Sequence, residues 1–395
     1  VNPQPTLRDN LKALPRPVWI LFAGTFVNRF GTFVMPFLVI YMTRSGFTPA
    51  QSGLAVSAYG AGHLIASMLG GHLADRIGRR NTIAVSMFGS AVMMVALSQA
   101  RGYATILTTT LLAGAAAELY RPAAMALIGD LVTPEQRVTA FGMYRFAVNL
   151  GFAAGPATAG LLANRSFLYV FLGDALTSLV YGFIALIALP HGLRSRGTEE
   201  SAGEGALSHA LRNRAFVLFL VASLCTTWIE FQTHSTLPLY IESKGHSTAV
   251  YGMLMSINGL LIVLFELAIT AWTQRFPPQP VIALGYALSG IGFALTGLAE
   301  SVYALAATVV VWTAGEMIWA PVTGAYVTGL APERYRGRYN GLWVLTWSIG
   351  MLLGPWVGTL LFQREPSLLW IACATVGSLG AALALVRPRQ EQVLQ

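Results

Sequence analysis

Twelve apolar stretches, each long enough to cross a bilayer, alternate with short polar connections along this chain of 395 residues. They lie near 18–43, 51–74, 81–99, 104–130, 137–163, 167–190, 214–241, 248–271, 280–299, 302–329, 338–362 and 367–387. A helix needs about 20 mainly apolar residues to cross roughly 30 Å of hydrocarbon. The pattern predicts an all-α integral membrane protein with twelve transmembrane helices. Composition agrees: 55% of the residues are hydrophobic and 11% charged, where a soluble domain carries about 25% charged. Forty glycines and nineteen prolines are frequent inside the apolar runs, as membrane helices tolerate.

The polar connections set the organisation. The longest, 191–213, mixes Gly, Ser and both signs of charge, and reads as a cytoplasmic linker with a short amphipathic helix at 205–213. It separates a six-helix bundle at 18–190 from a second at 214–387, with tails at 1–17 and 388–395. With the N-terminus inside, 17 Lys and Arg fall on inside segments, 5 on outside loops and 3 within spans. That bias predicts both termini in the cytoplasm. The net charge of +8 is therefore a topology signal, and no nucleic-acid partner is expected. Cys225 and Cys373 both sit in apolar stretches, which gives neither a disulfide framework nor a metal-ligand spacing. The polar N-terminus has no cleavable signal pattern.

The two halves repeat. Gly151-x-x-x-Gly155-Pro156-x-x-Ala159-Gly160 recurs as Gly350-x-x-x-Gly354-Pro355-x-x-Gly358 at an offset of 199, shared by Pro122 with Pro321 and Arg76 with Arg275. The loops at 133–136 and 331–334 repeat at an offset of 198. Several landmarks on nearly one offset argue for duplication.

Between the second and third spans, Gly71–Arg80 reads GHLADRIGRR. Glycines allow a tight turn, Asp75 can accept hydrogen bonds at a neighbouring helix N-terminus, and the arginines hold the loop on the cytoplasmic side. Gly71, Leu73, Ala74, Asp75, Arg76, Gly78, Arg79 and Arg80 resemble the signature loop of the major facilitator superfamily. The Gly151–Gly160 stretch is similar to the fifth-helix motif of antiporters in that superfamily, with Ala159 replacing one glycine. The fourth span departs from it: Gly114 is kept, but Thr110 stands where antiporters often carry Arg. The second copy of the loop is degraded, with Gln274 opposite Asp75. The resemblance spans nearly the whole chain and is strongest to the twelve-helix drug:proton antiporters. It implies two pseudo-symmetric six-helix bundles that rock about a central site, a conformational latch at Gly71, Asp75, Arg76, Gly78, Arg79 and Arg80, and a hinge or gate at Gly151, Gly155, Pro156, Gly354 and Pro355.

Ionisable residues inside spans are costly, so they are functional candidates by default. They are Arg29, His63, Glu118, Arg121, Arg145, Asp174, Glu230, His234, Glu266 and Glu316. Glu118 and Glu316 lie mid-span in the fourth and tenth spans at an offset of 198. A carboxylate there can exchange protons or pair with a cationic substrate, and competition for it couples the two. Glu118 and Arg121, at i and i+3, can also simply pair. Glu230 and His234, at i and i+4, share a helical face and can pass a proton; two ligands are too few for a metal. Arg145 is expected as a buried charge partner that tunes one carboxylate, with Arg29 as another candidate. Asp174 and Glu266 can lie at span ends and be solvated. Phe33, Trp312, Trp319 and Trp347 are candidate cavity aromatics, or core packing.

These readings point to a secondary transporter in the cell inner membrane, a monomer with no cofactor, that exports amphipathic or cationic organic compounds in exchange for protons. Proton-coupled uptake of a sugar, organic acid or peptide is the alternative, with peptides disfavoured because the first span lacks a Glu-x-x-Glu-Arg pattern. A non-transporting receptor is a further option. An enzyme is not expected, since no nucleotide loop or nucleophile motif is present.

Overall fold

The computed structural model describes residues 11–133, 136–192 and 206–386. The expected tails, most of the linker and Pro134–Glu135 of the 133–136 loop lie outside these. Among the described residues all regular structure is helical. Eleven stretches are long and apolar enough to cross a membrane. Pro49–Ile77, at 29 residues, has the length, but His63, His72, Asp75 and Arg76 dilute its apolar character. Together they make twelve spans. The expected short helix before the second half is Ala206–Arg212. Chain entry into several helices follows simple capping chemistry: Ser166, Asn213 and Ser301 each accept a backbone N–H of the first turn. Outward faces are apolar, as lipid requires: Ile187 is 83% and Leu267 82% exposed.

Three spans are broken. The first divides into Arg16–Phe30 and Val34–Arg44. Its second segment opens on the N–H groups of Phe33 and Val34, both bonded to Asp174 Oδ2 at 3.0 and 3.1 Å. Asp174 is therefore a buried cap, contrary to the expectation of a solvated span end. The seventh span divides into Arg214–Glu230, a 3-10 turn at Phe231–His234, and Thr236–Ser243. Here no acid caps the break. Gln232 does the work: its amide donates to the carbonyls of Trp228 and Gly354 and its Oε1 accepts from Ser235 and Thr236. Pro36 and Pro238 each stand third in the segment that follows, where the missing N–H costs no helical bond.

The fourth span breaks at Leu119, between Tyr103–Glu118 and Tyr120–Leu131. Pro122 has no N–H to give the Glu118 carbonyl. Next to this gap, the Ser86 hydroxyl from the third span takes the place of a helical bond, accepting the Tyr120 N–H at 3.0 Å and donating to the Ala116 carbonyl at 2.5 Å.

The chain forms two compact units. The first holds the described residues of Val1–Ser45, Leu54–Thr198 and Ser247–Leu260; the second holds those of Gly46–Gly53, Glu199–His246 and Leu261–Gln395. The start of the eighth span thus belongs to the first unit, and the start of the second span to the second unit. The first unit's core gathers Leu21, Phe22, Tyr120, Leu127, Ile128 and Tyr181; the second unit's gathers Phe216, Phe219, Tyr286, Trp319 and Tyr339.

Candidate transport sites

In the first unit the break in the fourth span presents Glu118, which is buried. Its Oε2 lies 2.8 Å from His63 Nε2, and its Oε1 lies 3.1 Å from Arg121 Nη1. Arg29 Nη2 stops 4.0 Å from Oε2. The Arg29 guanidinium lies over the rings of Tyr120 and Phe152, at 5.5 and 5.8 Å. Gly151 makes this packing possible: a Cβ there would fall 2.6 Å from Arg29 Cβ. One carboxylate therefore faces two guanidiniums and an imidazole.

The second unit reverses this balance. Glu230 ends the first segment of the seventh span and is buried, with Oε1 lacking a hydrogen-bond partner. The neighbours that act on its charge are Glu316, of the tenth span, and the Ser289 side chain. Among the described residues no ion pair joins Glu230 to a basic group. A run of rings connects the helices that carry the two acids: Tyr286 to Trp319 at 5.6 Å, Trp319 to Trp347 at 6.1 Å and Trp347 to Phe231 at 6.0 Å.

At the end of the second span the helix continues through Ile77, and Gly78 alone links it to Arg79–Gln99. Gly78 has φ +90°, a conformation that a side chain would strain. The turn points Arg79 inward, where its Nε meets Asp130 Oδ2 at 2.9 Å; Asp75 lies 3.5 Å from the same guanidinium with a largely open side chain. Asp130, in the last turn of the fourth span, is the more buried acid of the two.

The fifth span seats two neighbours. A Cβ on Gly155 would fall 2.5 Å from the Phe30 carbonyl oxygen. On the other side Gly252 lies directly on the Pro156 carbonyl, and Ser256 Oγ accepts the Ala157 N–H at 3.0 Å. In the second unit Gly53 rests against Pro355, where a Cβ would fall 2.6 Å from the carbonyl oxygen, while Gly354 faces Phe231. Gly53 and Gly252 are 199 residues apart, as are Pro156 and Pro355.

The family model described as Major Facilitator Superfamily matches residues 21–265 and 235–395. The chain belongs to the major facilitator superfamily. The Na(+), Li(+), K(+)/H(+) antiporter of Planococcus maritimus is 24% identical, over 84% of this chain and 85% of its own. The quinolone resistance protein NorA of Staphylococcus aureus is 22% identical, over 88% of this chain and 90% of its own. A crystal structure of a D-xylose-proton symporter superposes with a TM-score of 0.77 at 16% identity, covering 94% of this chain and 97% of that one. The protein is thus a multi-pass secondary transporter with the major facilitator fold of twelve spans, as its sequence suggests.

Within this major facilitator, several candidate residues stand elsewhere than the sequence suggests. Glu118 is held among three basic side chains, so it is not an open carboxylate for a cation. A 3-10 turn stands between Glu230 and His234, so their spacing is not that of an α-helical i, i+4 pair, and His234 Nδ1 is buried without a partner. Arg145 is exposed, whereas Arg29 is enclosed beside Glu118. Phe33, Trp312 and Trp319 are core side chains: Phe33 packs on Phe30, Trp312 on Phe293 and Trp319 on Tyr286. Trp347 is half-buried. His63 and Asp130 gain importance that spacing along the chain does not reveal.

Proposed function

We propose that the protein is a proton-coupled antiporter that exports amphipathic or cationic organic compounds across the cell inner membrane by alternating access, as a monomer with both termini cytoplasmic. The observation that carries this reading is the acid pair of the second unit, Glu230 with Glu316, beside which the half-buried rings of Trp347 and Phe231 pack together. Two neighbouring carboxylates in a membrane interior cannot both hold charge cheaply. A proton or an organic cation relieves the repulsion equally well, and each displaces the other. Aromatic faces add attraction for a cation with an apolar body. The Arg79–Asp130 pair, with Asp75, Arg76, Arg80, Gly71 and Gly78 around it, serves as the conformational latch. The glycines and prolines of the fifth and eleventh spans serve as the gate.

Inverted vesicles carrying the full chain and an imposed pH gradient test this. Tetraphenylphosphonium or ethidium is expected to release protons, and Glu316→Gln to abolish the release. Proton uptake together with a sugar or organic acid, and no response to the cations, would replace antiport by symport.

A further inference from the structure

Around Arg29 the first unit holds more hydrogen-bond donors than acceptors. Arg29 Nε and Nη2, Tyr120 OH and Tyr144 OH are all buried without a hydrogen-bond partner among the described residues. Both tyrosines lie within electrostatic reach of Arg29. The one acid nearby is already engaged: Glu118 is held by His63 and Arg121 and stops 4.0 Å short of Arg29. A guanidinium can only donate, and neither tyrosine hydroxyl, which could accept, is bonded to it, so these Arg29 N–H groups still lack an acceptor. Even with His63 neutral, two guanidiniums outnumber one carboxylate. A buried cation that one shared carboxylate only partly compensates is expensive, and a further acceptor with negative charge is what this group of atoms lacks.

The surroundings narrow the class of ligand. The rings of Tyr120 and Phe152 flank the guanidinium and form apolar walls. Exposure rises from Arg29, at 11% of its side chain, through His63 at 22% to Arg121 at 46%, so Arg121 is the most open basic group of the set. We propose that Arg29, Tyr120, Tyr144 and Arg121 form a binding site for the carboxylate of an amphipathic organic acid. The planar fork of Arg29 takes the two carboxylate oxygens, Arg121 guides the anion at the mouth, and the apolar body lies against Phe152. Glu118 acts as an internal competitor, holding Arg121 and partly neutralising Arg29 until the ligand arrives. This site is independent of the acid pair in the second unit.

Calorimetric titration of the full chain in nanodiscs tests it, with sodium benzoate as probe, benzamide as its neutral isostere and sodium phosphate as a bare oxyanion. Benzoate is expected to bind saturably and benzamide not at all, with phosphate weaker than benzoate. Arg29→Gln is expected to abolish binding, and Tyr144→Phe to weaken it about fivefold, the share of one hydrogen bond. Glu118→Gln is expected to tighten it, a gain that a purely structural role for Glu118 does not give. If Arg29→Gln does not fold, Tyr144→Phe and Glu118→Gln carry the test. Failure of benzoate to bind both the wild type and Glu118→Gln, each shown to be folded, overturns the proposal, as does equal binding of benzamide. Phosphate binding as tightly as benzoate overturns the assignment to an organic acid. Glu316→Gln should leave benzoate binding unchanged, so this site and the antiport reading can fail separately.

Discussion

Glu118 and Glu316 occupy nearly equivalent places in a duplicated chain, 198 residues apart, yet they do not keep the same company. The first faces His63, Arg121 and Arg29; the second shares its surroundings with another acid, Glu230. Duplication conserved the position of a carboxylate and let its company diverge. A membrane-embedded acid therefore says little about its role until its neighbours are known, because the sign of the surrounding charge decides whether it stays ionised or trades its charge for a proton.

The largest expected effect comes from removing one member of each set. Glu230→Gln or Glu316→Gln should eliminate substrate-driven proton release while leaving thermal unfolding of the purified protein nearly unchanged, since each relieves like-charge repulsion. Glu118→Gln should do the reverse: proton release with lipophilic cations persists, and stability falls by about 3–5 kcal/mol because basic groups lose their counter-charge. If both substitutions silence proton release equally, the contrast between the units is wrong.

A comparable loss is expected at the latch. Asp130→Asn leaves Arg79 without its closest carboxylate, costing about 3 kcal/mol in unfolding measurements. Asp75→Asn should cost about 0–1 kcal/mol, as for an exposed pair. Matching losses would return the main role to Asp75. At the glycine seats, Gly252→Ala forces a methyl onto the Pro156 carbonyl and should destabilise by about 1–3 kcal/mol, with Gly53→Ala in the same range because its Cβ would run into both the Thr359 side chain and the Pro355 carbonyl. The smallest effect separates the two helix breaks: Asp174→Ala should cost about 1 kcal/mol through loss of the cap. Cys373→Ala, 199 residues on and buried, should leave the seventh-span break intact, since Gln232 holds it.

Much of the fold was legible because hydrophobic length, loop charge and the repeat offset are properties of the chain itself. All twelve spans, the short helix before the second half and the close packing of the Gly-Pro motifs could be read that way. The breaks in the first and seventh spans were missed, although Pro36 and Pro238 signal them. Asp174 could not be read as a cap because its partners, Phe33 and Val34, are about 140 residues away. His63 and Asp130 were undervalued for the same reason: ion pairs between spans leave no periodic trace. The Glu230–His234 spacing assumes an unbroken α-helix, and the 3-10 turn removes that assumption.

The contact of Gly252 with the Pro156 carbonyl, and of Gly53 with its counterpart Pro355, also bears on how this chain can evolve. Where a Cβ would run into a neighbouring carbonyl, and at Gly53 into Thr359 as well, the tolerated alphabet is a single letter. Lipid-facing positions such as Ile187 and Leu267 accept almost any apolar residue. A saturation library selected for growth under a toxic substrate should therefore show both columns sharply depleted, spaced by the length of the repeat, alongside the other close helix contacts at Gly62 and Gly259. Such a pair would mark the duplication even in a descendant whose remaining sequence had drifted beyond recognition.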